Sequence, residues 1–391
     1  MRFPEFSGEW DNVSLGDISD ITKLAGFEFT QYVQYEDSGN IIALRGLNCK
    51  NGSLDLTDVK YIDNSILEKL TRSKLYVGDI LFTYVGTVGE VAIIEENDRF
   101  YLAPNVSRIR VEQGYNPYFI KQLIHTKRFY NKIIFPLIAT SSQPALSMEN
   151  VRKFSLSIPQ ESEQGKLAEF LNILDQRIST QKKIIEDLKK LKDAICNLNF
   201  TSGSVLKLGN AGKFVRGLTY SASDVIDYTI GTAVMRSNNI SNGDPVNFEE
   251  LVWVNKTPNH EQILRSGDIV ICMANGSSPL VGKASYYVDC GIESATVGAF
   301  CGIYRSDHPL TKWLFQSKHY KKHIQRCIQG GNGAIANIYP EDILAISFNI
   351  PCGYERVLNI LNFLEEKYLL EQKLLSRYLG VKSYLLSRLF I

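Results

Sequence analysis

This chain of 391 residues repeats itself, and the repeat limits the folds open to it. Leu75-Tyr76-Val77-Gly78-Asp79-Ile80 returns as Leu264-Arg265-Ser266-Gly267-Asp268-Ile269, and Val88-Gly89 returns as Val281-Gly282. Leu44-Arg45 and Gly52 match Met235-Arg236 and Gly243, and Leu123 to Lys127 match Leu314 to Lys318. Glu149-Asn150-Val151, running on to Ile158-Pro159, matches Glu341-Asp342-Ile343, running on to Ile350-Pro351. The anchors keep their order at offsets of 189 to 193 residues, and the second copy is longer between Ile269 and Val281. A unit of half the chain is too long for a solenoid repeat. It predicts a duplicated domain followed by a duplicated helix.

Each copy begins as short strands and turns. Ile41–Leu44, Asp79–Val85, Asp268–Met273 and Phe300–Tyr304 are rich in β-branched and aromatic residues, with Gly and Asn between them. Single helices are expected from Pro117 to about Ile134 and from Leu310 to about Ile328. After Pro159 and Pro351 the period becomes helical. Leu171, Leu174, Ile178, Ile185 and Leu188 fall at steps of three, four and seven, as do Leu364, Tyr368, Leu375, Tyr378 and Leu385. Such spacing makes a coiled-coil seam. Gln181, Lys192, Glu371 and Lys382 are polar seam positions suited to fixing its register. The expected fold is α+β with a pseudo-twofold internal repeat. Two tandem β-rich domains occupy residues 1–157 and 201–350, and two helices in 158–200 and 351–391 pair with each other.

Net charge is +1, so a nucleic-acid surface would have to be a local basic patch or be completed by partner chains. Seven cysteines at wide spacing, without CxxC, read as reduced and mostly buried thiols, with no disulfide framework and no zinc knuckle. The sequence contains no apolar run near the roughly 20 residues of a membrane-spanning helix. It opens without the blocks of a signal peptide, so a cytoplasmic, nucleoid-associated location is expected, with no membrane partner.

The doubled Gly-Asp-Ile segments (78–80, 267–269), their glycine-rich sequels, the closing Ile-Pro pairs, the helices after them and the Phe-Pro-Glu-Phe-x-Gly-Glu-Trp opening at 3–10 resemble the specificity subunit of type I restriction-modification systems. The resemblance implies two target-recognition domains, each reading half of a bipartite double-stranded DNA site. It implies that the two helices pair as an antiparallel coiled coil. It further implies two methyltransferase subunits that methylate adenine N6, and restriction subunits with translocase and nuclease activity. S-adenosylmethionine, ATP and Mg would belong to those partners, with no cofactor and no catalytic residue in this chain.

Base reading needs donors and acceptors on loops, and phosphate holding needs Lys and Arg. The first domain offers Arg45, Asn48, Thr83, Tyr84, Thr87, Asn105, Thr140, Ser141, Ser142 and Gln143, with Lys127 and Arg128 for phosphate. The second offers Arg236, Ser237, Asn238, Asn239, Asn275, Ser277, Ser278, Lys283, Ser294, Thr296, Asn332 and Asn337, with Lys321 and Lys322 on a basic helix. An ordinary turn role competes with base contact at each position. About 36 helical residues at ~1.5 Å each make a rod of roughly 54 Å, longer than one DNA turn of ~34–36 Å.

Catalytic motifs are absent from the sequence: there is no Asn-Pro-Pro-aromatic or Asp-Pro-Pro-aromatic site. Gly276 to Ala284 misses a phosphate-binding loop by one residue of spacing and by its hydroxyl. His319 and His323 lack a glutamate between them and a third ligand. Glu365-Glu366-Lys367 lies on the seam helix without an upstream Pro-Asp. Two other functions remain open on these residues: a stand-alone DNA-modifying enzyme and a protein-only coiled-coil scaffold.

Overall fold

A computed structural model describes residues 2–139, 143–227, 230–329 and 335–390. The chain divides into two compact units, Met1–Gln181 with Leu374–Ile391, and Lys182–Lys373. This differs from the expected boundaries. Each unit takes a β-rich domain together with one half of each long helix, because the helices pack into the domain cores as well as onto each other.

In the first unit Ser19–Lys23, Val106–Val111, Ile80–Thr83 and Val91–Ile93 form an antiparallel four-stranded sheet in that spatial order. A second sheet sets Ile42–Leu44 between Lys60–Tyr61, antiparallel, and Phe100–Leu102, parallel. Asp11–Ser14 pairs with Ser155–Ile158 and ties the start of the domain to its end. The second unit repeats the plan. Lys213–Arg216, Cys301–Arg305, Ile269–Cys272 and Ala284–Tyr286 make the four-stranded sheet. Thr232–Met235 lies parallel to Ala295–Val297 in the smaller sheet, and Ser204–Lys207 pairs with Ser347–Ile350.

The Gly-Asp-Ile anchor has a structural cause. Gly78 and Gly267 sit at φ +91° and +94°, where a side chain is strained. The next residue, Asp79 or Asp268, is buried and accepts the backbone N–H of Tyr76 or Arg265 at 2.7 Å. Ile80 and Ile269 then enter the sheet in two of the four main cores.

The expected helix over 117–134 is broken. Pro117–Ile124 is helical, capped by Asn116, and a new start follows at Thr126, whose hydroxyl accepts from the N–H of Phe129. The chain continues through a π-turn at Tyr130–Ile134. The second copy breaks at the matching place. Thr311–Leu314 is followed by Lys318–Cys327, with Ser317 capping the N–H of Tyr320. A hydroxyl inside an apolar pattern competes for backbone donors and starts a new helix.

The long helices run Glu161–Asn199 and Tyr354–Leu389. They pair antiparallel: Asp175 meets Lys382 in the first unit, and Lys192 meets Glu365 in the second. Leu171, Ile178, Leu364 and Tyr368 are buried, while Leu174, Ile185, Leu188, Leu375, Tyr378 and Leu385 are half-buried. Burying a leucine contributes roughly 1.5–3 kcal/mol, so this seam is a substantial share of what orders the helices. Leu167, Leu171, Leu389 and Phe390 continue into the first core, and Cys196 and Leu361 into that of the second unit.

Candidate nucleic-acid interface

Four segments converge at one edge of each unit, held by backbone bonds that repeat between copies. In the first, the Tyr84 N–H donates to the Asn105 carbonyl and the Leu146 N–H to the Tyr84 carbonyl. Val85 and Ala139 each bridge to Ala145. In the second, the Met273 N–H donates to Phe300 and the Ile338 N–H to Met273. Ala274 and Gln329 each pair with Asn337. The fourth segment is the 3-10 turn Gly46–Asn48 or Ser237–Asn239. A Cβ at Gly46 would lie 3.9 Å from the Thr83 side chain and 4.0 Å from that of Asn105.

Several expected contact residues belong to this framework. Asn48 and Asn239 are fully buried. The Asn48 carboxamide accepts the Arg45 N–H and donates to the Asp55 and Asp58 carbonyls, and Asn239 does the same for Arg236, Asn247 and Glu249. Thr83 is fully buried, accepting the Glu90 N–H and donating to the Thr87 carbonyl. Thr296 is fully buried and donates to Gln262. Their expected role as base contacts is corrected on this ground: the polar atoms are enclosed and already paired, and they hold the loops in shape.

Other residues stay within reach of a ligand. Thr87, Asn105, Gln143, Lys127, Arg128, Arg236, Asn238, Ser277, Ser278 and Lys322 are exposed, and Tyr84, Ser237, Asn275, Lys283, Ser294, Lys321 and Asn337 are half-buried. Arg45 is half-buried and engaged by the exposed Asp58 carboxylate at 2.8 Å. Ser237 and Asn275 are brought together by a bond of 3.1 Å from the Asn275 amide. Ser294 lies 3.2 Å from the Thr232 hydroxyl. Thr140, Ser141, Ser142 and Asn332 lie outside the described residues.

The basic helix Lys318–Cys327 exposes Lys318, Lys322 and Arg326, and carries no acid. His319 and His323 do not converge. His323 Nε2 meets the Asp342 carbonyl, while His319 packs edge-on against Phe348. Among the described residues no group of His, Cys, Asp or Glu is placed to hold a metal, and no helix is long and apolar enough to cross a membrane.

Sequence reasoning missed the aromatics beside these loops. Phe135 and Phe300 are 63% and 65% exposed, enough to stack on a ligand. Phe135 also borders a hollow of about 480 Å³ with Gly86, Tyr130, Ile138 and Pro144. Aligning the copies at the Tyr84–Asn105 bond, which sets Phe300 opposite Asn105, would have exposed the second aromatic.

Residues 7–190 match the type I restriction modification DNA specificity domain. The chain is 29% identical over 160 residues to a putative type I restriction enzyme specificity subunit, MjaX, of Methanocaldococcus jannaschii, covering 39% of this chain and 37% of that one. It is 32% identical over 147 residues to the EcoKI specificity subunit of Escherichia coli, covering 35% and 30%. A solved type I S subunit from M. genitalium superposes with TM-score 0.62 at 14% identity, covering 100% of this chain and 99% of that one. Residues 7–190 are thus similar to type I restriction-modification specificity subunits. The match spans about a third of the length of these curated relatives. The specificity-subunit fold nonetheless extends over both units, since the likeness to the M. genitalium protein covers the second as well as the first.

Proposed function

We propose that this chain reads DNA for a type I restriction-modification complex and catalyses no reaction itself. Each unit reads one half of a bipartite site in double-stranded DNA. The paired helices set the spacer and dock two methyltransferase subunits, and restriction subunits complete the nuclease. S-adenosylmethionine, ATP and Mg are bound by those partners.

The observation that carries this reading is the contrast between equal frameworks and unequal side chains. The row Val85, Ala145 and Ala139 in the first unit is matched by Ala274, Asn337 and Gln329 in the second. Carboxamides pair with the adenine edge, whereas small apolar groups meet the thymine methyl. Two identical scaffolds with different chemistry at the same positions suit two readers of different sequences. A protein-only scaffold has no need of such divergence.

Co-expression with the methyltransferase and sequencing of methylated bases test it. One bipartite motif should appear, and exchanging residues 201–350 for those of a relative should change one half of it. Methylation by the purified chain alone would support the stand-alone enzyme instead. Absence of DNA binding by the assembled complex would support the scaffold.

A further inference from the structure

Each unit holds a lysine–carboxylate–lysine cluster where its domain meets the helix pair, buried in the second unit and half-buried in the first, and the two clusters are related by the repeat. In the second unit the Glu365 carboxylate pairs with Lys192, lies 3.8 Å from Lys312, and accepts the Tyr286 hydroxyl. Lys192 and Glu365 are only 3% and 4% exposed, and Lys192 sits 3.8 Å from the Tyr368 ring centre. In the first unit the Asp175 carboxylate pairs with Lys382 at 2.5 Å, lies 3.9 Å from Lys121, and accepts the Gln122 amide at 2.6 Å.

Two features set these clusters apart from ordinary ion pairs. Each joins three elements, both long helices and the short helix of the domain, Pro117–Ile124 or Thr311–Leu314. Their polarity is also reversed between the units. The central helix supplies the carboxylate in the first and the amine in the second.

We propose that these clusters lock the register of the helix pair and so position each domain along it. The apolar seam cannot do this alone, because a slip of seven residues sets leucine against leucine again. The same slip places Asp175 against Leu375 or Leu389, and Lys192 against Leu358 or Gln372. A buried charge left unpaired is strongly penalised, whereas a buried pair adds little stability over hydrocarbon of similar volume. The clusters therefore select one alignment among several that the leucines permit. That the alignment appears as spacer length rests on the function proposed above.

The test replaces each whole cluster by hydrocarbon in the full chain, as Lys192→Met and Lys312→Met with Glu365→Leu, separately as Lys121→Met and Lys382→Met with Asp175→Leu, and then as both sets together. Each variant should melt cooperatively at an unchanged or higher temperature. Its helix amides in the altered unit should exchange about tenfold faster. With the methyltransferase present and both clusters replaced, both half-sites should stay the same, while spacers differing by up to about three base pairs join the original. A single spacer with unchanged exchange would overturn the proposal. So would loss of cooperative folding in both single-cluster variants, which would make the clusters supports of the fold and not selectors of register. If wild type and variants all fail to methylate, the DNA-reading function fails, and the exchange rates on the purified chain still decide the question of register.

Discussion

Asp268 holds Arg305 by two parallel bonds, Nε to Oδ1 at 2.8 Å and a terminal nitrogen to Oδ2 at 2.6 Å, with the carboxylate 2% exposed. Asp79 holds Arg110 in the same way, both bonds 2.7 Å. The aspartate of the repeated Gly-Asp-Ile segment thus clamps the first central strand of the sheet to the next. Arg305 also donates to the Ile263 carbonyl at 2.7 Å, fixing the segment before the turn.

Arg305→Ala should therefore cost about 3–5 kcal/mol in the second unit, since it leaves a buried carboxylate without its partner. Urea unfolding followed by amide exchange checks it. Exchange over Ile269–Cys272 and Cys301–Arg305 should accelerate, with the first unit unaffected. Equal acceleration in both units would show that the clamp is not local.

His125 and Gln316 occupy matching places beneath Gly52 and Gly243, each glycine closely approached by the side chain below. Burial first, then Lys121 and Lys382, hold the His125 pKa down from 6.5 to about 4, against a smaller opposing pull from Asp175. The unfolded chain takes up a proton near pH 6.5 that the folded chain refuses until about pH 4. Stability should fall as pH drops through that window and level off below it, by on the order of 3 kcal/mol. His125→Gln, which copies the other unit, should remove this contribution. Chemical unfolding at pH 7.5, 6 and 4.5 (approximate set points spanning the window) measures it. An unchanged pH slope would show that His125 takes up its proton as readily in the fold as in the unfolded chain.

Much of this was legible in the sequence, and the reason is physical. The duplicated anchors mark positions where backbone shape or buried charge leaves little choice, such as Gly78 and Asp79. The seam was legible because its period reports one buried face. Loop roles were not. Asn48 looks like a base reader in sequence, yet a carboxamide is equally suited to closing a turn, and only burial tells the two apart. The helix breaks at Thr126 and Ser317 were missed because a capping hydroxyl interrupts an apolar pattern without erasing it.

The adjacent residues Asn238 and Asn239 should separate the two roles. Asn239→Ala removes a buried carboxamide with three bonds and should cost about 1–3 kcal/mol, because its partners are left unsatisfied. Asn238 is exposed, so Asn238→Ala should change stability by less than about 0.5 kcal/mol. Under the proposed function it should weaken binding of one half-site by about 1–3 kcal/mol. Thermal melts and binding isotherms distinguish them, and a stable Asn239→Ala with altered sequence preference would reverse the assignment.

Lys322 and Arg326 are exposed on an acid-free helix, and under the proposed function they meet phosphate. Lys322→Gln should weaken binding of the complex to every DNA sequence alike and lower the salt slope by about one. A change confined to one base position would make Lys322 a base reader.

The last prediction concerns the length of the helix pair. The boundary between the units crosses the central helix between Gln181 and Lys182, and the C-terminal helix between Lys373 and Leu374. Seven residues inserted at the first point alone lengthen one helix by about 10 Å and keep its heptad phase. The Asp175–Lys382 and Lys192–Glu365 pairs then cannot both persist, because the C-terminal helix still spaces its partners as before. One cluster must break, and stability and methylation should both fall. A matching heptad at the second point restores both pairs and gives each inserted turn a partner. The doubly lengthened chain should regain stability. Its methylated motif should keep both half-sites and gain up to about three base pairs of spacer, at ~3.4 Å each. The shift should stop short of that limit if rotation of the second half-site around the duplex limits it. Melting curves and sequencing of methylated bases for the three chains decide the matter. Full activity at the original spacer in the doubly lengthened chain would show that something other than the helices measures the distance.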